Sequence, residues 1–157
     1  MDLIINYGNT HSLIHKLERE KKRAEEALDA QEFRDLVDAL FNFSITAFHI
    51  KDWLISDNGI DSSEIHGFMN KFTVLQACRD ICNANKHYEI TRYNPGDVSI
   101  SSVITELLEV VPTEDGDVDL YGKADICVSV NGEDYRLVVF MEKVIDVWKQ
   151  YHQDKGI

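Results

Sequence analysis

The sequence predicts an α+β fold that is mainly α: a helical bundle with a three-stranded antiparallel β-meander inserted before the C-terminal helix. Three observations predict it. Apolar residues recur with helical spacing over 10–93, strand-forming residues dominate over 97–139, and helical spacing returns over 140–154. A chain of 157 residues with 44% hydrophobic content suits a single domain, 1–157, because a chain of this length buries roughly two-thirds of its unfolded surface.

The first half of the chain predicts four helices. The first runs from about residue 10 or 12 to residue 28. The segment 29–32 has the form of a capping box and is expected to start a second helix, which is apolar on nearly every side and therefore belongs at the centre of the bundle. Asp61 is expected to cap a short third helix, and Asn70 to begin a fourth.

The second half begins with a break in the helical pattern at Asn94-Pro95-Gly96. A β-rich stretch follows over 98–111. Further on, apolar and polar residues alternate up to the dipeptide Asn131-Gly132, which is a strong signal for a two-residue hairpin turn. A third strand is expected to continue through Val139, and the closing helix to begin at Phe140.

The charge is unevenly distributed. The net charge of −12 argues against extensive binding to a phosphate backbone. However, the segment 97–134 alone holds ten acids against one base, Lys123, whereas the segment 71–92 holds four bases against two acids. A local cationic patch is therefore compatible with the acidic chain.

The sequence contains no pattern typical of a membrane protein or of a cofactor enzyme. No apolar run approaches the roughly 18 residues that a membrane helix requires, and the N-terminus does not resemble a signal peptide, so we expect no membrane association and a cytoplasmic location. Glycine-rich phosphate loops, nucleophile elbows and Cys-x-x-Cys pairs do not occur, and no cofactor is predicted. Three cysteines do not form a disulfide framework.

Two patterns approach a metal site, and neither completes one. His11 and His15 stand four residues apart on the first helix, but no further ligand completes the set. The run Asp115-Gly-Asp117-Val-Asp119 places carboxylates alternately, but Leu120 and Ile126 stand where an EF-hand requires glycine and glutamate. No metal site is predicted.

The fourth helix carries a polar stripe on an otherwise apolar background. Arg79, Asn83, Lys86 and His87 are spaced at i, i+4, i+7 and i+8, which places them on one helical face. Arg92 adds a further cation downstream.

His49 and Asp52 are three residues apart on the second helix, close enough to share a hydrogen bond. If the second and fourth helices are neighbours, these groups converge on one groove. Such a set suits RNA cleavage, because histidine transfers protons while arginine and lysine stabilise the charge that develops on phosphorus.

A helical bundle with Arg79, Asn83 and His87 on one late helix resembles the HEPN superfamily, small ribonucleases and nucleotide-binding proteins of bacterial and phage conflict systems such as toxin–antitoxin and phage defence. The resemblance implies a metal-independent endoribonuclease or an inactive relative, with Arg79 and His87 as the catalytic pair and Asn83 beside them. It also implies a homodimer that joins two copies at one cleft. Seven residues separate Arg79 from His87, one more than the longest spacing in that family's signature.

Two alternatives stay open. In the first, Arg79 and Asp52 form an interhelical ion pair and the polar stripe is structural. In the second, the chain is a noncatalytic acidic protein-binding module, an immunity, inhibitor or regulatory component. Its segment 97–134, with a formal charge of −9, would then dock on a basic protein partner.

Overall fold

The computed structural model of the chain describes residues 8–86 and 98–157. The elements are α1 (Thr10–Ala30), α2 (Phe33–Asn58), α3 (Ser62–Met69), α4 (Thr73–Lys86), β1 (Val98–Pro112), β2 (Val118–Val130), β3 (Glu133–Arg136) and α5 (Leu137–Lys155). The predicted mainly helical α+β fold is confirmed, with a three-stranded antiparallel sheet between α4 and α5.

Helix α2 is the centre of the bundle, as its apolar composition predicts. It packs against α1, α3, α4 and α5, and Phe43 and Leu40 are completely buried along it. Trp148 and Phe140 of α5 belong to the same core, and the buried Val128 of β2 joins it from the sheet. The core therefore lies between the helices and the base of the sheet.

Two predicted helix starts are wrong. Asp29 lies inside α1 and starts nothing, because α1 continues to Ala30 and the chain reverses at Gln31, whose φ of 55° is left-handed. That single turn leaves no room for a capping box, and Glu32 precedes α2 without a side-chain cap bond. Asn70 ends α3 instead of opening α4, which begins three residues later. In contrast, the carboxylate of Asp61 caps α3 as predicted.

The turn between β2 and β3 is the predicted one. Asn131 and Gly132 have φ values of 49° and 84°, the paired left-handed conformations of a tight hairpin. The expected third strand is nevertheless too long, since α5 begins at Leu137 and not at Phe140. The first residues of α5 fit both the alternation of a strand and the spacing of a helix. The helix prevails because Leu137, Phe140 and Met141 all enter the core from it.

Strands β1 and β2 form a long hairpin that extends beyond the helices. Bulges interrupt the pairing between Ile104 and Glu106 and between Leu107 and Glu109. At the bulges the strands approach so closely that a Cβ on Gly122 would lie 2.0 Å from the carbonyl oxygen of Glu106. Glycine at this position is therefore a requirement of the hairpin.

No helix within the described ranges is long and apolar enough to cross a membrane.

Candidate functional site

A groove of about 470 Å³ opens between α2, α3 and α4. We call it the α2–α4 groove. Its described lining residues are Phe48, Lys51, His66, Met69, Asn70, Leu75, Gln76, Arg79 and Asn83. This is the interhelical position at which the sequence predicts a site.

The spacing of residues along α4 explains why polar groups reach the groove. Leu75, Arg79 and Asn83 follow one another at four-residue intervals and share one face. The residues between them, such as Cys78 and Cys82, are buried in the bundle. The amphipathic pattern of α4 thus directs its hydrophobic face inward and its polar face into the groove.

Five of the seven predicted site residues lie on α4 or follow it in the sequence, and they divide into three groups. Arg79 and Asn83 both line the α2–α4 groove. Lys86 ends α4, and the orientation of its side chain is outside what the structure describes. His87 and Arg92 lie outside the described residues.

The α2–α4 groove differs in charge from the chain as a whole. Its described lining includes two cations, Lys51 and Arg79, together with His66 and three carboxamides, and no carboxylate. The floor is apolar, with Phe48 and Leu75 contributing. A mixed surface of this kind suits a ligand with both an anionic group and a flat apolar part.

Arg79 does not pair with Asp52, so the interhelical ion pair is wrong. Its Nε lies 2.9 Å from Oδ1 of Asp80, the next residue, which is 5% exposed. The side chain of Arg79 itself remains 28% exposed. An adjacent carboxylate behind the guanidinium orients it without closing the groove.

Asp52 is instead bound within α2. Its Oδ1 lies 2.6 Å from Nζ of Lys51, and its Oδ2 lies 2.7 Å from Nδ1 of His49. Partial burial acts to raise the pKa of Asp52, but the hydrogen bonds and charges of Lys51 and His49 outweigh burial and hold that pKa below its usual range. The predicted hydrogen bond between His49 and Asp52 is confirmed.

His49 connects α2 to α4. The ionised Asp52 accepts a hydrogen bond, so Nδ1 of the imidazole carries the proton, and Nε2 lies 3.9 Å from Sγ of Cys82. Burial raises the pKa of the nearby Cys78 thiol, which makes a thiolate on this face of α4 unfavourable. Neither His49 nor Asp52 is among the described lining residues of the α2–α4 groove.

Sequence reasoning missed the contributions of Lys51 and His66. The Nζ of Lys51 lies 4.7 Å from the ring centroid of Phe48, and only 14% of the lysine side chain is exposed. His66 enters from α3, with Nδ1 3.3 Å from the hydroxyl of Ser62. The helical spacing of Phe48 and Lys51 was a usable signal. Nothing in the sequence of α3 indicated that it lines the same groove as α4.

Comparisons of the chain with protein-family models, with curated proteins and with solved structures find no match. Within the part of the chain that the structure describes, no cluster of three or more His, Cys, Asp or Glu side chains is arranged to hold a metal ion.

The acidic segment lies mainly on the β1–β2 hairpin. Glu114, Asp115 and Asp117 occupy the turn at its tip, where the Thr113 N–H donates to the Asp117 carbonyl. Closer to the bundle, the Nζ of Lys123 lies 3.1 Å from Glu106. The α2–α4 groove and the acidic hairpin thus belong to different elements, and carboxylates are concentrated on the hairpin but are not among the described lining residues of the groove.

Proposed function

We propose that the α2–α4 groove binds single-stranded RNA through a phosphodiester, and that the chain is a HEPN-like endoribonuclease of a bacterial or phage conflict system, or an inactive relative. One observation carries the proposal. On a chain of net charge −12, this groove presents Lys51 and Arg79, and the carboxylates that pair with them, Asp52 and Asp80, are not among its described lining residues. Acidic residues elsewhere would discourage extended phosphate contact and leave this groove as the favourable place for it.

The lining residues support a division of tasks. The Nε of Arg79 is held by Asp80, and its two Nη groups are the donors that would grip a phosphate oxygen pair. Lys51 would add a point charge. The amides of Asn83 and Asn70 would bond to sugar or base edges, while Phe48, whose ring already contacts Lys51, would add apolar contact with a base.

Catalysis would depend on His87, which the family resemblance implies as the proton-transferring group. His87 follows α4 directly in the sequence, eight residues after Arg79. An imidazole there would take the proton of the 2′-hydroxyl or return one to the leaving oxygen, and Arg79 would stabilise the charge on phosphorus. Lys86 and Arg92, which flank His87 in the sequence, would supply further positive charge.

The deciding experiment incubates the purified chain with labelled single-stranded RNA of mixed sequence in EDTA, and measures binding by anisotropy and cleavage on a gel. We expect binding to weaken at least about tenfold in Arg79→Ala, the loss of about 1.4 kcal/mol or more that a charged hydrogen bond supplies. We expect His87→Ala to retain binding and lose cleavage. Asn83→Ala serves as a second groove variant in case Arg79→Ala does not fold.

Arg34→Ala is the matched control, because Arg34 is an exposed arginine at the start of α2, away from the groove. Circular dichroism verifies the fold of each variant. RNA binding that is lost in Arg79→Ala and retained in Arg34→Ala, without cleavage by the native chain, supports the inactive relative. Binding that both arginine variants retain in full contradicts the proposed groove.

The homodimer that the resemblance implies forms part of the proposal. Two copies would bring two α2–α4 grooves to one cleft. Sedimentation of the native chain with and without RNA measures this state directly. A monomer that cleaves RNA at full rate contradicts the shared cleft but leaves the groove itself intact.

A further inference from the structure

The β1–β2 hairpin exposes most of the large hydrophobic side chains found at the described surface. Eight of the nine such residues lie on it: Ile100, Ile104, Leu107, Leu108, Val110, Val118, Leu120 and Tyr121. Each is at least 42% exposed, and Leu108 reaches 65%. Scattered apolar residues are normal on a surface, whereas a concentration on one projecting element indicates an interaction site.

Strand register assigns most of these residues to a single face. Val128 and Ile126 of β2 point into the core, and alternation along the strand puts Ala124, Gly122, Leu120 and Val118 on the same side. Their partners in β1 are Ile104, Leu107, Val110 and Pro112. The core face of the sheet therefore continues past the helices. We call Ile104, Leu107, Val110, Val118 and Leu120 the apolar strip.

The opposite face and the tip of the hairpin are acidic. Between Val98 and Gly122 there are six acids and no lysine or arginine, and Lys123, the next residue, pairs with one of these acids, Glu106. Glu109 pairs with Tyr121 and Asp119 with Val111 on the face opposite the apolar strip. A two-stranded ribbon is only marginally stable by itself, so an uncovered apolar face on one is costly unless a ligand covers it.

We propose that the hairpin docks its apolar strip on a protein partner whose apolar groove is bordered by lysine and arginine. Burial of the strip supplies affinity, and the acids at the tip and on the opposite face of the hairpin supply orientation and fast association through their longer-range charge. This proposal is independent of RNA binding, because the hairpin and the α2–α4 groove share no residue.

Two other modes of docking fit the structure less well. A second copy of the chain would bring two hairpins that each carry six acids close together, and the repulsion between them opposes self-association. Addition of a partner strand along the free edge of β1 would meet the two bulges, which interrupt a regular ladder. Docking on the face of the hairpin encounters neither obstacle.

The experiment uses the full chain and three synthetic peptides of equal length that alternate Lys-Leu, Glu-Leu or Lys-Ser. The Lys-Leu peptide presents an apolar face bordered by positive charge. We expect it alone to bind, with an affinity that falls as salt is raised. Replacing the cross-strand pair by Val110→Thr with Leu120→Thr should weaken binding about tenfold, since apolar area is lost while strand propensity is kept.

Val139→Thr is the matched control, because Val139 is 44% exposed and lies on α5. Binding that survives Val139→Thr and weakens in the hairpin double variant supports the proposal. Failure of the Lys-Leu peptide to bind, equal binding by the Glu-Leu peptide, or no effect of the double variant overturns it. If sedimentation finds that the native chain is a dimer and that the double variant is a monomer, the strip binds a second copy of the chain. That result overturns the proposal of a basic protein partner.

Discussion

The side-chain amide of Gln31 pairs with the backbone of Ala124 in both directions. Its Oε1 accepts the Ala124 N–H at 2.8 Å, and its Nε2 donates to the Ala124 carbonyl at 3.2 Å. Nε2 also donates to the carbonyl of Leu28 at 2.7 Å. The N–H and the carbonyl of Ala124 both point away from β1. Gln31 therefore bonds to the same edge of β2 that pairs with β3 further along the strand. One residue of the α1–α2 turn thus anchors the hairpin to the bundle.

Gln31→Ala should release this anchor. Loss of the two bonds to Ala124 is expected to lower the free energy of unfolding by about 1–3 kcal/mol and to speed hydrogen exchange at the Ala124 amide. Gln150→Ala is the control, since Gln150 bonds only across one turn to Asp154 on the exposed side of α5. Unchanged exchange at Ala124 in Gln31→Ala would contradict the anchoring role.

Gly122→Ala should disrupt the hairpin while leaving the bundle folded. The added Cβ would lie 2.0 Å from the Glu106 carbonyl oxygen, which is backbone and cannot move aside cheaply. We expect the free energy of unfolding to fall by about 1–3 kcal/mol. The strand signal in circular dichroism should decrease, and the Lys-Leu peptide should bind more weakly. In Gly67→Ala, nothing lies within 4 Å of the new Cβ in α3, and stability should rise by about 0.5–1 kcal/mol. Equal stability of the two variants contradicts the steric argument.

His152 should make the fold less stable in mild acid. It is 2% exposed and lies between the Trp148 carbonyl, 2.8 Å from Nδ1, and the Thr10 hydroxyl, 2.7 Å from Nε2. Because a carbonyl only accepts, Nδ1 donates to it, and in the neutral ring Nε2 then accepts from the Thr10 hydroxyl. Burial lowers the pKa of His152 below 6.5, and the charge of His11 lowers it further. The hydrogen bond to the Trp148 carbonyl acts in the opposite direction and raises that pKa.

The sign of the pH dependence follows from that lowered pKa. The unfolded chain takes up a proton at His152 near pH 6.5 and the folded chain only at lower pH, so stability falls as the pH drops through that window. Urea unfolding at a series of pH values should give a shallower decline for His152→Gln than for the native chain. The exposed His66→Gln is the control. If the stability of His152→Gln falls with pH as steeply as that of the native chain, protonation of His152 is not the cause of the decline.

We expect Glu20 to lower the stability of the fold. It is 2% exposed, its Oε1 lies 2.6 Å from Nη1 of Arg23, and its buried Oε2 has no hydrogen-bond partner among the described residues. Glu20→Met is expected to raise the free energy of unfolding by about 1 kcal/mol, because it removes a buried charge that is only half satisfied. Arg23→Met should lower it, since it leaves that charge unpaired. Urea midpoints at constant slope measure both changes, and a Glu20→Met variant less stable than the native chain contradicts the prediction.

Much of the fold was accessible from local sequence. Helical spacing defined α1 and the central α2, Asp61 capped α3, and Asn131-Gly132 made the predicted turn. Predictions failed where a single residue settles a boundary. A capping box was predicted at 29–32, but the chain instead reverses at the left-handed Gln31. A strand was predicted through Val139, but α5 begins at Leu137 because this residue packs into the core from the helix.

The candidate site divides in the same way. The sequence by itself determined that Arg79 and Asn83 share a polar face of α4, and that His49 can bond to Asp52, because both depend on spacing within one helix. Only the tertiary structure decided that Arg79 pairs with Asp80 and that His66 of α3 lines the same groove as Arg79. Periodicity within an element states which residues share a face. It does not state which other element that face meets, because packing of the whole core decides the neighbours.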